Sequence, residues 1–295
     1  MMAQTHSNPA WKIRPLSPLL GLDVTGADVR TIGMNGDLTW LLNALAEHGV
    51  VVFRDQDLTA AELVSIGQLM GELEWHVLDQ YRMPDHPEIY VISNITENGK
   101  PIGNPKDGFG WHTDQAYLAR PTAYTILYGV ETPPVGAETL FVSTREAYAQ
   151  LPADERAALA DLRAIQSYRY MREGNADYRR NNAVTTELRP DQLDRVPDVV
   201  HPLVRTHPID GCKSLYLGGD TCLAIENQDE AGGRWLIDRL FAHILAPDRV
   251  YSHAWRPKDV VLWDNRTTMH TATDYDRSRY RRLIWRLSVR GEVPY

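Results

Sequence analysis

The sequence points to a mainly β protein of the α+β kind, a barrel or sandwich of short strands with helices packed on its outside. Three features carry that expectation. Short strand-like runs outnumber helical ones. They do not alternate regularly with helices, as a doubly wound parallel sheet would require. No repeat, low-complexity tract or long Pro/Gly/Ser linker divides the chain, so residues 1–295 are expected to form a single domain, with about residues 1–10 polar and disordered.

In chain order, WKIRPLSPLLGLDVTGADV reads as β structure broken by Pro15, Pro18 and Gly21. Leu38 to Glu47 reads as a helix with Asp37 as its N-cap. GVVVFRDQ, from Gly49 to Gln56, is an apolar run suited to a buried strand. Thr59 followed by Glu62 fits a capping box, and Leu63, Ile66 and Met70 then recur at helical spacing. Ser143 and Glu146 repeat that signature and open a second helical region, which Pro152 splits before ADERAALADL. A third helix is expected from about Glu230 to Leu245, despite Gly232 and Gly233. The strand candidates are EIYVIS, AYTILYGV, AETLFVS, HPLVRTH, SLYLGG, DVVLW and RRLIWRLSVR.

Composition removes several classes of function. With 43% hydrophobic and 24% charged residues the chain can bury a large core and is neither disordered nor collagenous. The net charge is −8 with Lys and Arg thinly spread, so nucleic acid is not an expected partner. Cys212 and Cys222 form no CxxC pair, which argues for free thiols over a structural zinc or a disulfide framework. No apolar run approaches the roughly 20 residues of a membrane helix, and the start lacks a signal-peptide pattern, so no membrane partner and a cytoplasmic location are expected.

Three short segments carry chemistry. In WHTD, His112 and Asp114 are two apart, and on an extended chain i and i+2 share a face, so an imidazole nitrogen and a carboxylate oxygen can bind one ion. Alone, the tripeptide equally suits an exposed polar strand end. DVVLWDNRTTMH runs from a strand into a polar turn and delivers His270 as a third candidate ligand; two histidines and a carboxylate make the facial triad of non-haem Fe(II) oxygenases. RRLIWRLSVR alternates, with Leu283, Trp285, Leu287 and Val289 on one face and Arg282, Ile284, Arg286 and Ser288 on the other. That second face is either a solvated outer surface or a barrel interior, in which two guanidiniums would serve as fixed anion receptors.

The order HTD, ETL, WDNRTTMH, RRLIWR resembles the taurine dioxygenase and 2,4-dichlorophenoxyacetate dioxygenase (TauD/TfdA) family of Fe(II)- and 2-oxoglutarate-dependent oxygenases. PLSPLLGLDVTGADV, GVVVFRDQDLTAAEL, GELEWH, ETPPVGAETLFVS and HPLVRTHPIDGCKSLYL are similar to further landmarks in the same order, so the resemblance covers nearly the whole chain. It implies a double-stranded β-helix (jelly-roll, cupin-like) core. It also implies His112, Asp114 and His270 as iron ligands, Thr139 and Arg282 as the holders of the distal carboxylate of 2-oxoglutarate, Arg286 as a receptor for an anionic substrate group, and His76 as a substrate contact.

The implied reaction uses Fe(II), 2-oxoglutarate and O2, yields succinate and CO2, and hydroxylates an unactivated C–H bond of a small anionic substrate. Asp114 is a carboxylate, which frees no coordination site for a halide and favours hydroxylation over halogenation. Family habit implies a homo-oligomer, dimer or tetramer. Two departures argue against taurine itself: Gly108 stands where taurine dioxygenase has an asparagine, and Thr221 where it has an aromatic residue. SYRYMREGNADYRRNN, Ser167 to Asn182, falls at a variable loop over the pocket and is read either as a lid or as an exposed segment with no role. A barrel that binds a metal or small acid without turnover, and a peptide or protein hydroxylase, stay open as alternatives.

Overall fold

Every residue of Val50–Phe53 is fully buried, because both faces of this strand are covered. Val51 and Phe53 share a core with Leu41 and Leu45 of the helix Asp37–His48 and with Leu63 and Ile66 of the helix Ala60–Met70. Val50 and Val52 pack instead with Val261, Trp263 and Phe141 in the molecule's inner layer. The structure, a computed structural model, describes residues 10–105, 107–181 and 189–295. The expectation for residues 1–9 lies outside the described residues, as does Asn182 at the end of SYRYMREGNADYRRNN.

This strand belongs to a large sheet in the order Lys12–Pro15, Leu22–Thr25, Val50–Phe53, Val260–Asp264, Thr122–Glu131, Leu283–Arg290, with Leu73–Glu74 and Tyr90–Ser93 both beyond Leu283–Arg290. These pairings are antiparallel except Leu22–Thr25 on Val50–Phe53. Opposite it, Thr139–Ser143 lies between Tyr251–His253 and Thr268–Ala272, and Arg163–Gln166 lies between Val199–Pro202 and Cys222–Ile225. On this side Phe141 turns inward, while Val142 and Met269 turn outward onto Ile237, Leu240 and Ile244 of the helix Glu230–Ile244. The result is the jelly roll expected, with helices outside both sheets. Among the described residues no helix is long and apolar enough to cross a membrane.

The local signals hold where they are chemical. Thr59 Oγ1 accepts from the Glu62 amide at 3.3 Å and Glu62 Oε2 accepts from the Thr59 amide at 2.8 Å, a complete capping box. Ser143 Oγ accepts from the Glu146 amide at 3.1 Å, and Pro152 directly precedes the helix Ala153–Leu159. Asp37 is not the N-cap expected. Gly36 holds that position at φ 82°, and Asp37 is the first helical residue, where its charge still complements the helix dipole. His270 is not in a turn either, since the turn ends at Thr267 and His270 is the centre of the strand Thr268–Ala272. For Leu283–Arg290 the interior alternative holds, with Arg282 and Arg286 only 5% and 8% exposed.

Candidate active site

His112 and His270 are neighbours because the backbone makes them so. Their main chains exchange both hydrogen bonds, at 3.0 and 2.9 Å, in an antiparallel bridge, and His112 bridges Gly219 on its other side. The ring centroids lie 4.2 Å apart. A side chain at residue 219 would destroy the arrangement, since its φ is +75° and a Cβ would sit 2.1 Å from the Trp111 carbonyl oxygen. On the His270 side, the turn after Val260–Asp264 carries the chain from the large sheet to the opposite one. Arg266 staples that turn with a two-point pair to Asp264, at 2.8 and 2.6 Å. Alternation along the next strand then sends Met269 out and His270 in.

Asp114 completes the cluster. Its Oδ1 lies 3.6 Å from His112 Nε2 and 3.7 Å from His270 Nε2, and the potential ligand atoms of the three residues all lie within 4.8 Å of one another. His112 Nδ1 is 2.7 Å from the Gly110 carbonyl, which assigns its proton to Nδ1 and leaves Nε2 as the free lone pair. Burial opposes the charge on Asp114, yet Arg286 and the two imidazoles outweigh it and hold the carboxyl well below its usual range. Burial, then the neighbouring His112, push His270 well below the usual imidazole range, so it is neutral and able to ligate. For His112, burial disfavours the proton, but Asp114 overrides it and raises the value. Two imidazoles and one ionised carboxylate are the donor set that suits Fe(II).

Two cavities meet at His112 and Asp114. The inner one is bordered by His270, Thr139 and Arg282. Arg282 is 5% exposed, its Nε has no hydrogen-bond partner, and its guanidinium forms no ion pair among the described residues. Burial lowers its value to about 10 despite a longer-range attraction to Asp107, so it stays cationic at neutral pH with no directly paired counter-charge. A bound dicarboxylate would supply one. Thr139 Oγ1 accepts from the Trp255 indole N–H at 3.0 Å, so its own proton is left for another acceptor.

The outer cavity is bordered by His76, Tyr117, Tyr168, Tyr178, Asp220 and Arg286. His76 Nδ1 accepts from the Leu78 amide at 3.2 Å, its ring packs 4.0 Å from that of Tyr90, and burial followed by Arg286 keeps it neutral. Arg286 borders both cavities, but it is not free for substrate alone: its Nη2 donates to Asp114 Oδ1 at 2.8 Å. All seven residues singled out in the sequence therefore border these two spaces. Sequence reasoning missed Trp255, Thr125, Asn265 and Asp220. Thr125 lies in AYTILYGV and Asn265 in DVVLWDNRTTMH, whereas Trp255 and Asp220 fall outside every segment whose pattern carried a signal. The Tyr/Arg segment contributes Tyr168, Met171 and Tyr178 to the outer cavity, through a π-helical turn at Tyr170–Gly174 and the helix Ala176–Asn181.

The model of the family described as "Taurine catabolism dioxygenase TauD, TfdA family" matches residues 12–288. The chain belongs to the TauD/TfdA family. Its TauD/TfdA relatives include the (S)-phenoxypropionate/alpha-ketoglutarate-dioxygenase of Sphingobium herbicidovorans, 30% identical over 285 residues, which cover 97% of this chain and 96% of that protein. The alpha-ketoglutarate-dependent 2,4-dichlorophenoxyacetate dioxygenase of Burkholderia sp. (strain RASC) is 32% identical over 269 residues, covering 85% and 87%. Among solved structures, a taurine dioxygenase from Burkholderia xenovorans superposes with a TM-score of 0.79 at 27% identity, over 97% of this chain and 93% of that one. AAD-2 in complex with Mn(II) and N-oxalylglycine gives 0.78 at 28%, over 96% and 98%. This TauD/TfdA protein is thus an alpha-ketoglutarate-dependent dioxygenase, an oxidoreductase that requires Fe(II), 2-oxoglutarate and O2.

Proposed function

We propose that this dioxygenase hydroxylates an unactivated C–H bond of a small anionic organic substrate, converting 2-oxoglutarate and O2 to succinate and CO2. The observation that carries the reading is the meeting of two differently built cavities at one His/Asp/His cluster. His112, Asp114 and His270 would hold the iron, and Arg282 with Thr139 would hold the far carboxylate of 2-oxoglutarate. Iron and co-substrate supply the oxidant that removes hydrogen from carbon. The protein's own contribution is placement and dryness. The Trp255 N–H fixes Thr139 as a donor, and the buried rings of Tyr117 and Tyr168 wall water from the substrate side.

Arg286 and the neutral His76 are the groups suited to a substrate anion, and the tyrosine-lined wall suits an apolar or aryl body. Gly108 and Thr221 supply none of the contacts that an asparagine and an aromatic residue would give, which argues against taurine. A screen of sulfonates, sulfate esters, aryloxy acids and amino-acid derivatives, scored by succinate release, is expected to find substrates whose turnover needs no peptide. Anaerobic Fe(II) with 2-oxoglutarate is expected to give a weak visible charge-transfer band. A folded protein without that band would lack the proposed metal site, and a band without succinate on any acid would leave a binding barrel.

A further inference from the structure

Asp114 has two oxygens, and the residues behind it treat them differently. Oδ1 faces both imidazoles and Arg286. Oδ2 faces away, into a buried chain of polar groups. There Thr125 Oγ1 is 2.6 Å from Asp114 Oδ2, Asn265 Nδ2 is 2.9 Å from Thr125 Oγ1, and Asn265 Oδ1 is 3.0 Å from Trp263 Nε1 and 3.1 Å from the Asp114 amide nitrogen. Trp263, Asn265 and Thr125 are at most 1% exposed, so no solvent competes for these bonds.

The direction of every proton in this chain is determined. An indole N–H and a backbone N–H can only donate, so the Asn265 atom between them is its oxygen. Its amide nitrogen must then face Thr125 and can only donate to it. The Thr125 hydroxyl, accepting from Asn265, has its own proton left for Asp114 Oδ2. A short bond from a hydroxyl to a carboxylate is among the stronger hydrogen bonds of a protein interior.

We infer that Asn265 and Thr125 are positioning residues that reserve Asp114 Oδ2 and so restrict the carboxylate to one-oxygen ligation through Oδ1. The inference rests on His112, Asp114 and His270 being the metal ligands. Its consequence is a count of coordination positions. A facial triad with a single carboxylate oxygen leaves three positions open, whereas a two-oxygen carboxylate would take one of them. The co-substrate and O2 need all three. Within the turn that follows Val260–Asp264, Asn265 thus has a task apart from that of Arg266, which staples Asp264.

The test uses the full chain with Mn(II) alone as probe, read by water-proton relaxivity, which counts exchangeable waters on the ion, and by the Mn(II) dissociation constant. Thr125→Val is nearly isosteric and removes the hydroxyl that donates to Asp114 Oδ2 and accepts from Asn265 Nδ2. It is expected to lower the inner-sphere relaxivity by about one third, the loss of one position in three. Asn265→Leu should move it in the same direction, and Thr125→Ser should restore the wild-type value at unchanged melting temperature. If Thr125→Val does not fold, Thr125→Ala gives the same reading. Relaxivity equal to wild type in both the Thr125→Val or Thr125→Ala protein and the Asn265→Leu protein would overturn the inference. Failure of the wild-type protein itself to bind Mn(II) would instead remove the ligand assignment beneath it.

Discussion

Arg282 carries a buried positive charge that no carboxylate of the described residues pairs directly, only Asp107 attracting it from further off, whereas Arg286 is already engaged by Asp114. Arg286 lies within the strand Leu283–Arg290 and Arg282, four residues earlier, directly precedes it, and their alternation with Leu283, Trp285 and Leu287 is legible in the sequence. Their different partners are not, because Asp114 lies 172 residues from Arg286 and no local periodicity encodes such a contact. The separate assignment of Arg286 to substrate is therefore incomplete, as its substitution also removes a cation from the candidate metal ligand. Arg282→Ala should raise the 2-oxoglutarate dissociation constant about 10- to 100-fold, since a hydrogen bond to a charged group is worth roughly 1.5–3 kcal/mol. Mn(II) affinity should be unchanged. Anaerobic titration with 2-oxoglutarate at fixed Mn(II) measures both, and a lost metal affinity would place Arg282 in the wrong cavity.

At the scale of the element, the turn between Val260–Asp264 and Thr268–Ala272 does the most with the fewest residues. Its apolar entry, VVLW, reads plainly as a strand, while its exit does not. In TMHTA the inward His270 is flanked by Met269 and Thr271, so a single apolar side chain is all that is left of the alternation that marks a half-buried strand, although the strand is there. The turn is held by charge. Burial alone would raise the Asp264 carboxyl, but Arg266, and then the hydrogen bond from His207, hold it well below the usual range. A carboxyl depressed in the folded state stabilises fully above its unfolded value, near 4, and that stability is lost as pH falls below it toward the folded value. Urea midpoints should therefore hold steady through neutral pH as far as this group is concerned and fall below about pH 4. Asp264→Asn should cost roughly 3–5 kcal/mol at pH 7, by leaving Arg266 short of its counter-charge, and should make the acid limb shallower. An unchanged acid limb in that variant would mean another carboxylate governs it.

For the whole molecule, the jelly roll separates stability from chemistry by layer. The helices and the outer face of the large sheet form one core, the helix Glu230–Ile244 and the outer face of the opposite sheet form another, and the candidate site opens from the layer between. The outer layers were readable because they are apolar at regular spacing, as in Val51 with Phe53 or Leu63 with Ile66. The inner layer mixes Phe141 and Trp263 with His112, His270 and Asp114, a composition that obscures the pattern from which a core is recognised. Leu262 and Phe141 test the separation. Leu262 is fully buried among the outer core, while the neighbours Val261 and Trp263 face inward. The ring of Phe141 is stacked 6.0 Å from His270 and packs edge-on 5.4 Å from Trp263. Leu262→Ala should cost about 2–5 kcal/mol in unfolding free energy, and Phe141→Ala about 3–5. Mn(II) affinity distinguishes them: it should survive Leu262→Ala and weaken in Phe141→Ala, where the cavity lets the His270 ring leave its orientation. Calorimetric Mn(II) titrations at a temperature where both variants are folded decide the matter. Equal losses of affinity in the two would show that the sheets transmit strain between layers, so that stability and metal binding are not separable in this fold.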